Sequence, residues 1–469
     1  MEIISNKKID NKRFIEFIYT NFKDNTDKVY VDEKSTKDSI SLKTGELEFK
    51  LPILFDYDRQ RYAMYKAILL KKYNKRLNWG VLVGVRPTKL VNKMLEEGHS
   101  EEEIRNILSL VYLVKKEKID LVFDIIKNDR GYIDKSTISL YVGLAFCPTK
   151  CTYCSFPAYL KKGKYEKKYD EYFLTIIDEV KEMTSLIKEL RLKVGEIYIG
   201  GGTPSFLNYS ELETLLSILH NNVDFSTIKE FTFEAGRIDT LDEKKLDILK
   251  KYCVDRISIN PQSFKEETLK KVNRYHSQEK LDEIYNLAYN KGFCINMDYI
   301  MGLPNESTED MLNTIEKMKS YKAQNITIHS LALKKTSYLS KSKFFSENVD
   351  MDRVYKNIYS FAKEYNYLPY YIYRQKQSYR EEENIGFCKK GYQSRYNIDI
   401  IEENKNIFSV GAGSYTKLID KNNITRITAP KDPLVYVMEY RERIKKKKEE
   451  IKKFYEKNFI ITTICIFYL

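Results

Sequence analysis

Residues 139–156 read SLYVGLAFCPTKCTYCSF, an apolar run that ends in three cysteines, Cys147, Cys151 and Cys154. A run of strand length followed at once by reactive side chains reads as a buried strand delivering a loop to a site. Outward from it the chain keeps alternating strand-like and helical segments. EIYIG (196–200), FTFEA (231–235), RISIN (256–260), INMDYI (295–300) and NITIHSL (325–331) are the further strands. The helix between the first two carries Tyr169, Phe173, Ile176, Val180, Met183 and Ile187 at alternating steps of four and three, so one face must pack on a sheet. Such alternation specifies an α/β fold with a parallel sheet. Six units give either a partly closed (βα)6 barrel or an open doubly wound sheet. In both, chemistry gathers at the carboxyl ends of the strands.

The unusual residues fall at those ends. Strand one runs into Cys147, strand two into Gly200, Gly201 and Gly202, and strand three carries Glu234. Gln262 follows strand four, strand five holds Asp298, and strand six holds His329. Ahead of this region, Val29 to Val31 and Glu46 to Leu54 read as short strands, with a helix from about Arg61. Ser100 before Glu101, Glu102 and Glu103 is a helix N-cap with acids where the dipole favours them. An α+β domain is therefore expected over residues 1–136, closed by the polar break Asn128-Asp129-Arg130-Gly131. The barrel is expected over 137–333. Past it, the aromatic stretch EYNYLPYYIY (364–373) opens a third region, 334–469, expected as an α+β or helical part covering the barrel.

The chain has 469 residues, a formal charge of +13, 42% hydrophobic and 31% charged residues, which exclude long disorder and a disulfide scaffold. No apolar stretch with a cleavage site opens the sequence, so a reducing cytoplasm is the expected compartment. The C-terminal run FIITTICIFYL (459–469) falls short of a bilayer crossing and is expected as a buried last element. Residues 441–453 (RERIKKKKEEIKK) read as a solvated surface helix, with Ile444, Ile451 and Tyr455 on one stripe, and not as a nucleic-acid arm. No nucleic-acid partner and no membrane span are expected, and the chain is expected to be a monomer.

Three of the seven cysteines lie within eight residues, spaced C-x3-C-x2-C. Three thiolates can wrap one face of a cubane iron-sulfur cluster and leave one iron open to a substrate or cofactor. The competing reading is structural zinc, which wants a fourth ligand. Cys253, Cys294, Cys388 and Cys465 are paired neither with one another nor with a nearby His.

The stretch Phe146-Cys147-Pro-Thr-Lys-Cys151-Thr-Tyr-Cys154-Ser-Phe156 resembles the motif of radical S-adenosylmethionine (SAM) enzymes. With Gly200 to Ser205 (GGGTPS), Gln262-Ser263-Phe264, Asn273-Arg274 with His276, and Asn296 to Pro304 (NMDYIMGLP), the ordered set is similar to oxygen-independent coproporphyrinogen III dehydrogenases over about residues 137–420. The stretch Gly84 to Lys89 (GVRPTK), in an N-terminal extension, resembles the HemZ-type subgroup. The resemblance implies a partial (βα)6 TIM-like barrel and two cofactors, a 4Fe-4S cluster on Cys147, Cys151 and Cys154, and SAM on its open iron. It further implies that a 5′-deoxyadenosyl radical takes hydrogen from substrate, and that coproporphyrinogen III propionates are decarboxylated to vinyl groups, giving protoporphyrinogen IX. An electron donor and an acceptor, neither identified by the sequence, complete that reaction.

By the same resemblance, the SAM-binding residues are Tyr141, Phe156, Gly201, Gly202, Thr203, Glu234, Gln262, Arg274 and Asp298, with Asp298 on the ribose and Arg274 on the carboxylate. Tyr141 joins the three cysteines as a catalytic candidate. His329 could face substrate, and Arg374 and Arg395 could anchor its carboxylates. Glycines suit a place where backbone must approach a ligand. Phe156 stands where the studied dehydrogenases have a fourth cysteine. That departure keeps open a HemW-like haem-binding chaperone; the N-terminal domain and the +13 charge leave a further alternative, a radical SAM enzyme that modifies RNA.

Overall fold

The computed structural model describes residues 1–82, 86–332, 337–339, 349–375, 382–420 and 423–467, with side chains to residue 457. The GVRPTK stretch thus lies partly, and the side chains of 459–469 lie wholly, outside the described residues. The chain divides into two units. One is Met1–Asn128 with short stretches from Ile372 and up to Glu383; the other holds the rest.

In the first unit, alternating burial builds a four-stranded sheet of β1 (Glu2–Ser5), β2 (Lys28–Ser35), β3 (Ser39–Thr44) and β4 (Leu47–Pro52), in that order. β1 runs parallel to β2, and the remaining pairs are antiparallel. Val29, Val31, Ile40 and Leu42 are buried on one face, where the helix Tyr57–Lys72 packs with Met64, Tyr65, Ile68 and Leu69. Glu33 is buried on this face and is gripped by Arg61, Nη2 to Oε2 at 2.7 Å. Burial alone would raise the Glu33 pKa, but bonds from Arg61, Ser35 and Tyr65 outweigh it and hold the value at about 2. Ser100 forms a capping box with Glu103 at the start of the helix Glu101–Asn106.

The second unit is built on β5 (Ile138–Leu144), β6 (Phe146–Cys147), β7 (Tyr159–Leu160), β8 (Val194–Gly201), β9 (Glu230–Gly236), β10 (Arg256–Ile259), β11 (Cys294–Met301) and β12 (Asn325–Ser330). Their side chains are mostly buried on both faces, as parallel strands under helices must be. β5, β8, β9, β10, β11 and β12 lie side by side in sequence order and all parallel. This is the partial (βα)6 barrel. The first strand differs in detail from the expected 139–146. It stops at Leu144, because the Ala145 N–H turns aside to donate to the Tyr172 hydroxyl at 2.9 Å.

The C-terminal third adds strands to both edges: β13 (Leu368–Arg374) and β14 (Glu383–Cys388) beyond β12, then β15 (Ile407–Val410), β16 (Tyr415–Asp420) and β17 (Asn423–Thr428) beyond β5. β15 is parallel to β5, whereas β14 is antiparallel to β12. No helix among the described residues is long and apolar enough to cross a membrane.

The helix Tyr440–Phe467 departs from the solvated reading of 441–453. Ile444 and Ile451 are buried, and Lys447 is only 3% exposed. The cause is Glu179, a fully buried carboxylate on the helix Tyr169–Glu189. It accepts from Arg443 Nη1 at 2.8 Å, Lys447 Nζ at 3.3 Å, the Gly411 N–H at 3.0 Å and the Tyr436 hydroxyl. Burial would raise its pKa, but Lys447 and Arg443 hold it at about 2. A carboxylate held so low stabilises the fold above its ordinary pKa and loses that contribution as pH falls toward 2. Glu179→Gln leaves Lys447 buried without its anion and is expected to cost about 3–5 kcal/mol, read as a lower urea midpoint at pH 7.

Candidate active site

Two loops at the carboxyl ends of β5 and β8 are stitched together. The Gly202 N–H donates to Leu144 O at 2.5 Å and the Thr203 N–H to Phe146 O at 2.9 Å. This brings the glycine run against the cysteine loop. Thr203 Oγ1 donates to Cys147 Sγ at 3.2 Å, and the Phe156 N–H donates to Cys154. Cys147 and Cys151 are buried and Cys154 is half-buried. Burial pushes the Cys147 thiol up to about 11 and raises Cys154 as well, so thiolates here call for a cation to hold them.

The glycines keep a cradle open. A Cβ on Gly202 would stand 2.7 Å from Phe146 O and 3.0 Å from Cys147 Sγ, and one on Gly200 would stand 2.5 Å from Glu234 Oε2. Gly201 has φ +107°, in the region that favours glycine. Gln262, at φ 68°, is held to β11 by its backbone, while its buried Oε1 has no hydrogen-bond partner. A buried amide oxygen without a donor fits a bound ligand. Among the described residues, no three His, Cys, Asp or Glu side chains converge as ligands of a single ion do. A cubane asks less, since each thiolate meets its own iron. The residues present thus fit a cluster on three cysteines and a ligand lying over the glycines.

Two carboxylates face this cradle with opposite proton affinities. Burial, and then the charge of Asp298, push Glu234 up to about 7, against bonds from Tyr198 and the Gly201 N–H. Asp298 is lowered despite its burial, because His329, Asn296 and Thr327 bond to it. Asn296 Nδ2 donates to its Oδ1 at 2.8 Å, and His329 Nε2 stands 3.8 Å from its Oδ2. Near neutral pH Asp298 is therefore the charged acceptor and Glu234 the group close to its titration point. With its folded-state value above the usual carboxylate range, Glu234 costs the fold stability as pH rises from about 4.5 through 7. Glu234→Gln is expected to match the parent melting temperature at pH 5 and to exceed it at pH 8, by up to about 3 kcal/mol of stability.

Arg274 reaches the same place but is already occupied: Nη2 donates to Gly236 O at 2.6 Å and Asn260 O at 3.1 Å, and Nη1 lies 3.8 Å from Cys151 Sγ. A second guanidinium, Arg237, went unnoticed in the sequence. It follows β9, is 5% exposed, and puts Nη1 3.7 Å from Cys151 Sγ. A lone Arg after a strand gives no signal of burial. Tyr396 was missed too. Its ring stacks on Tyr198 at 4.3 Å and on Tyr141 at 6.0 Å, so Tyr141 belongs to a three-ring face beside Glu234. Phe156, whose N–H bonds Cys154, has a side chain 60% exposed. Of the two proposed substrate anchors, Arg374 Nη1 donates to Leu82 O, and Arg395 Nη1 to Tyr132 O at 3.0 Å.

The family model of the Radical SAM superfamily matches residues 141–318, the span that carries these groups. The chain is 37% identical over 397 residues to the oxygen-independent coproporphyrinogen-III oxidase-like protein HemZ of Bacillus subtilis, covering 82% of this chain and 78% of that one. It is 30% identical over 357 residues to the heme chaperone HemW of Buchnera aphidicola, covering 69% of this chain and 92% of that one. Among solved structures, the coproporphyrinogen III oxidase HemN of Escherichia coli, a radical SAM enzyme, shares the fold with a TM-score of 0.53 at 18% identity, over 66% of this chain and 70% of that one. The chain therefore belongs to the radical SAM superfamily, in the oxygen-independent coproporphyrinogen III oxidase-like family of HemZ, and is an enzyme whose cofactors are a 4Fe-4S cluster and SAM.

Proposed function

We propose that the protein is an oxidoreductase that converts propionate side chains of coproporphyrinogen III to vinyl groups without oxygen. The observation that carries this reading is the meeting of the cysteine loop, the glycine cradle and the Glu234–Asp298 pair at the carboxyl ends of six parallel strands. The substrate follows from the likeness to HemZ, and the +13 charge provides a favourable field for a tetra-anion.

When bound, the cluster and SAM supply a carbon radical able to remove a hydrogen atom. The chain's part is to hold and shield. Cys147, Cys151 and Cys154 ligate three irons. Gly201 and Gly202 present backbone to the methionine part of SAM, with Thr203 securing the loop. Asp298, kept ionised, would accept from ribose hydroxyls, with Glu234, Gln262 and Tyr141 beside it, and Arg274 would hold the SAM carboxylate. Each conversion takes one hydrogen atom from the propionate carbon next to the ring. The side chain then loses carbon dioxide and gives one electron to an external acceptor.

The 30% likeness to HemW favours one other reading, a haem carrier on the same scaffold. Anaerobically reconstituted protein with SAM, reductant and coproporphyrinogen III separates them. Vinyl porphyrinogens with 5′-deoxyadenosine support the oxidoreductase. Tight haem binding with unchanged coproporphyrinogen overturns it in favour of the carrier.

A further inference from the structure

The three cysteines differ in what surrounds their sulfurs. Cys147 has a neutral hydroxyl, Thr203 Oγ1, at 3.2 Å, and Cys154 has a backbone N–H. Cys151 Sγ has guanidinium nitrogens within 4 Å, Arg237 Nη1 at 3.7 Å and Arg274 Nη1 at 3.8 Å, while the charges of Arg237 and Arg274 reach Cys147 and Cys154 from further off. Arg274 is committed to two backbone carbonyls and, in the reading above, to SAM. Arg237 takes no part in SAM binding in that reading.

Its guanidinium is fixed from the other side. Nε and Nη2 donate to the two oxygens of Asp239 at 2.9 and 2.7 Å, a fork on a carboxylate. Nη1 also donates to Thr149 Oγ1 at 2.9 Å and approaches Asn273 O at 3.4 Å. The side chain is 5% exposed, whereas Asp239 is 39% exposed, so water screens the anion more than the cation. A buried positive charge is therefore held beside one chosen sulfur.

We propose that Arg237 is a positioning residue that acts through Cys151 to raise the reduction potential of the cluster. Adding an electron spreads negative charge over the cluster and its thiolates. Hydrogen bonds and positive charge at a ligand sulfur stabilise that reduced state, which is one of the few levers a protein has over such a centre. The inference rests on ligation of the cluster by Cys147, Cys151 and Cys154.

The test is an EPR-monitored redox titration of reconstituted protein without SAM. Arg237→Gln is expected to lower the ratio of reduced to oxidised cluster about tenfold at a fixed potential, or about 59 mV for one electron, with iron content unchanged. Arg237→Lys, which keeps the charge and loses the fork, should fall between variant and parent. An unchanged potential in Arg237→Gln with a full cluster overturns the proposal and leaves Arg237 a strut. Should that variant fail to load iron, Asp239→Asn is read instead: it keeps Arg237 and removes its counter-charge, so a higher potential supports the proposal and an unmoved one overturns it. Parent protein that binds no iron would instead sink the ligation on which the inference depends.

Discussion

Cys147→Ala, Cys151→Ala and Cys154→Ala are each expected to yield protein without the visible absorption of an iron-sulfur cluster and without detectable turnover. Three thiolates hold three irons and leave the fourth open, so a two-thiolate loop exposes a second iron to solvent and the centre falls apart. Among the described residues no other cysteine is part of this loop. Cys253 is exposed, Cys294 on β11 accepts from Arg256 Nη1 at 3.0 Å, and Cys388 is buried on β14. The fold itself should survive, because Ala fills most of the space of a thiol and none of these sulfurs anchors a strand. Iron analysis, the visible spectrum and a thermal melt of the same sample check both halves of this expectation.

Gly202→Ala is expected to lower turnover about a hundredfold while leaving iron content near the parent value. The added Cβ has no room: Phe146 O would be 2.7 Å away and Leu144 O 3.0 Å, both backbone atoms that cannot swing aside, with Cys147 Sγ also at 3.0 Å. Relief has to come from parting the glycine and cysteine loops, which moves a reacting geometry by a fraction of an ångström or more. Gly131→Ala is the matched control, since a Cβ there meets nothing within 4 Å, and it should behave as the parent. Turnover by production of 5′-deoxyadenosine, with iron measured beside it, decides the matter.

The barrel was legible because its strands are short, mostly apolar runs at regular intervals and the first intervening helix, Tyr169–Glu189, keeps a 3.6-residue period. β3 was not, since Ile40 and Leu42 are the only apolar side chains in SISLKT. The site divides the same way. Cys147, Gly202, Glu234 and Asp298 could be found because they interrupt apolar strands or cluster along the chain. Arg237 could not, because its partners Thr149 and Asn273 lie 88 and 36 residues away in sequence. Lys447 looked like one lysine in a solvated run until Glu179, from a helix far upstream, explained its burial.

In the proposed reaction this chain removes a hydrogen atom from a coproporphyrinogen propionate. Coproporphyrinogen III deuterated at the propionate carbons next to the rings tests it most directly, incubated anaerobically with the reconstituted protein, SAM and reductant. The expected product is 5′-deoxyadenosine carrying one deuterium for each vinyl group formed. Unlabelled 5′-deoxyadenosine with coproporphyrinogen left intact would contradict it.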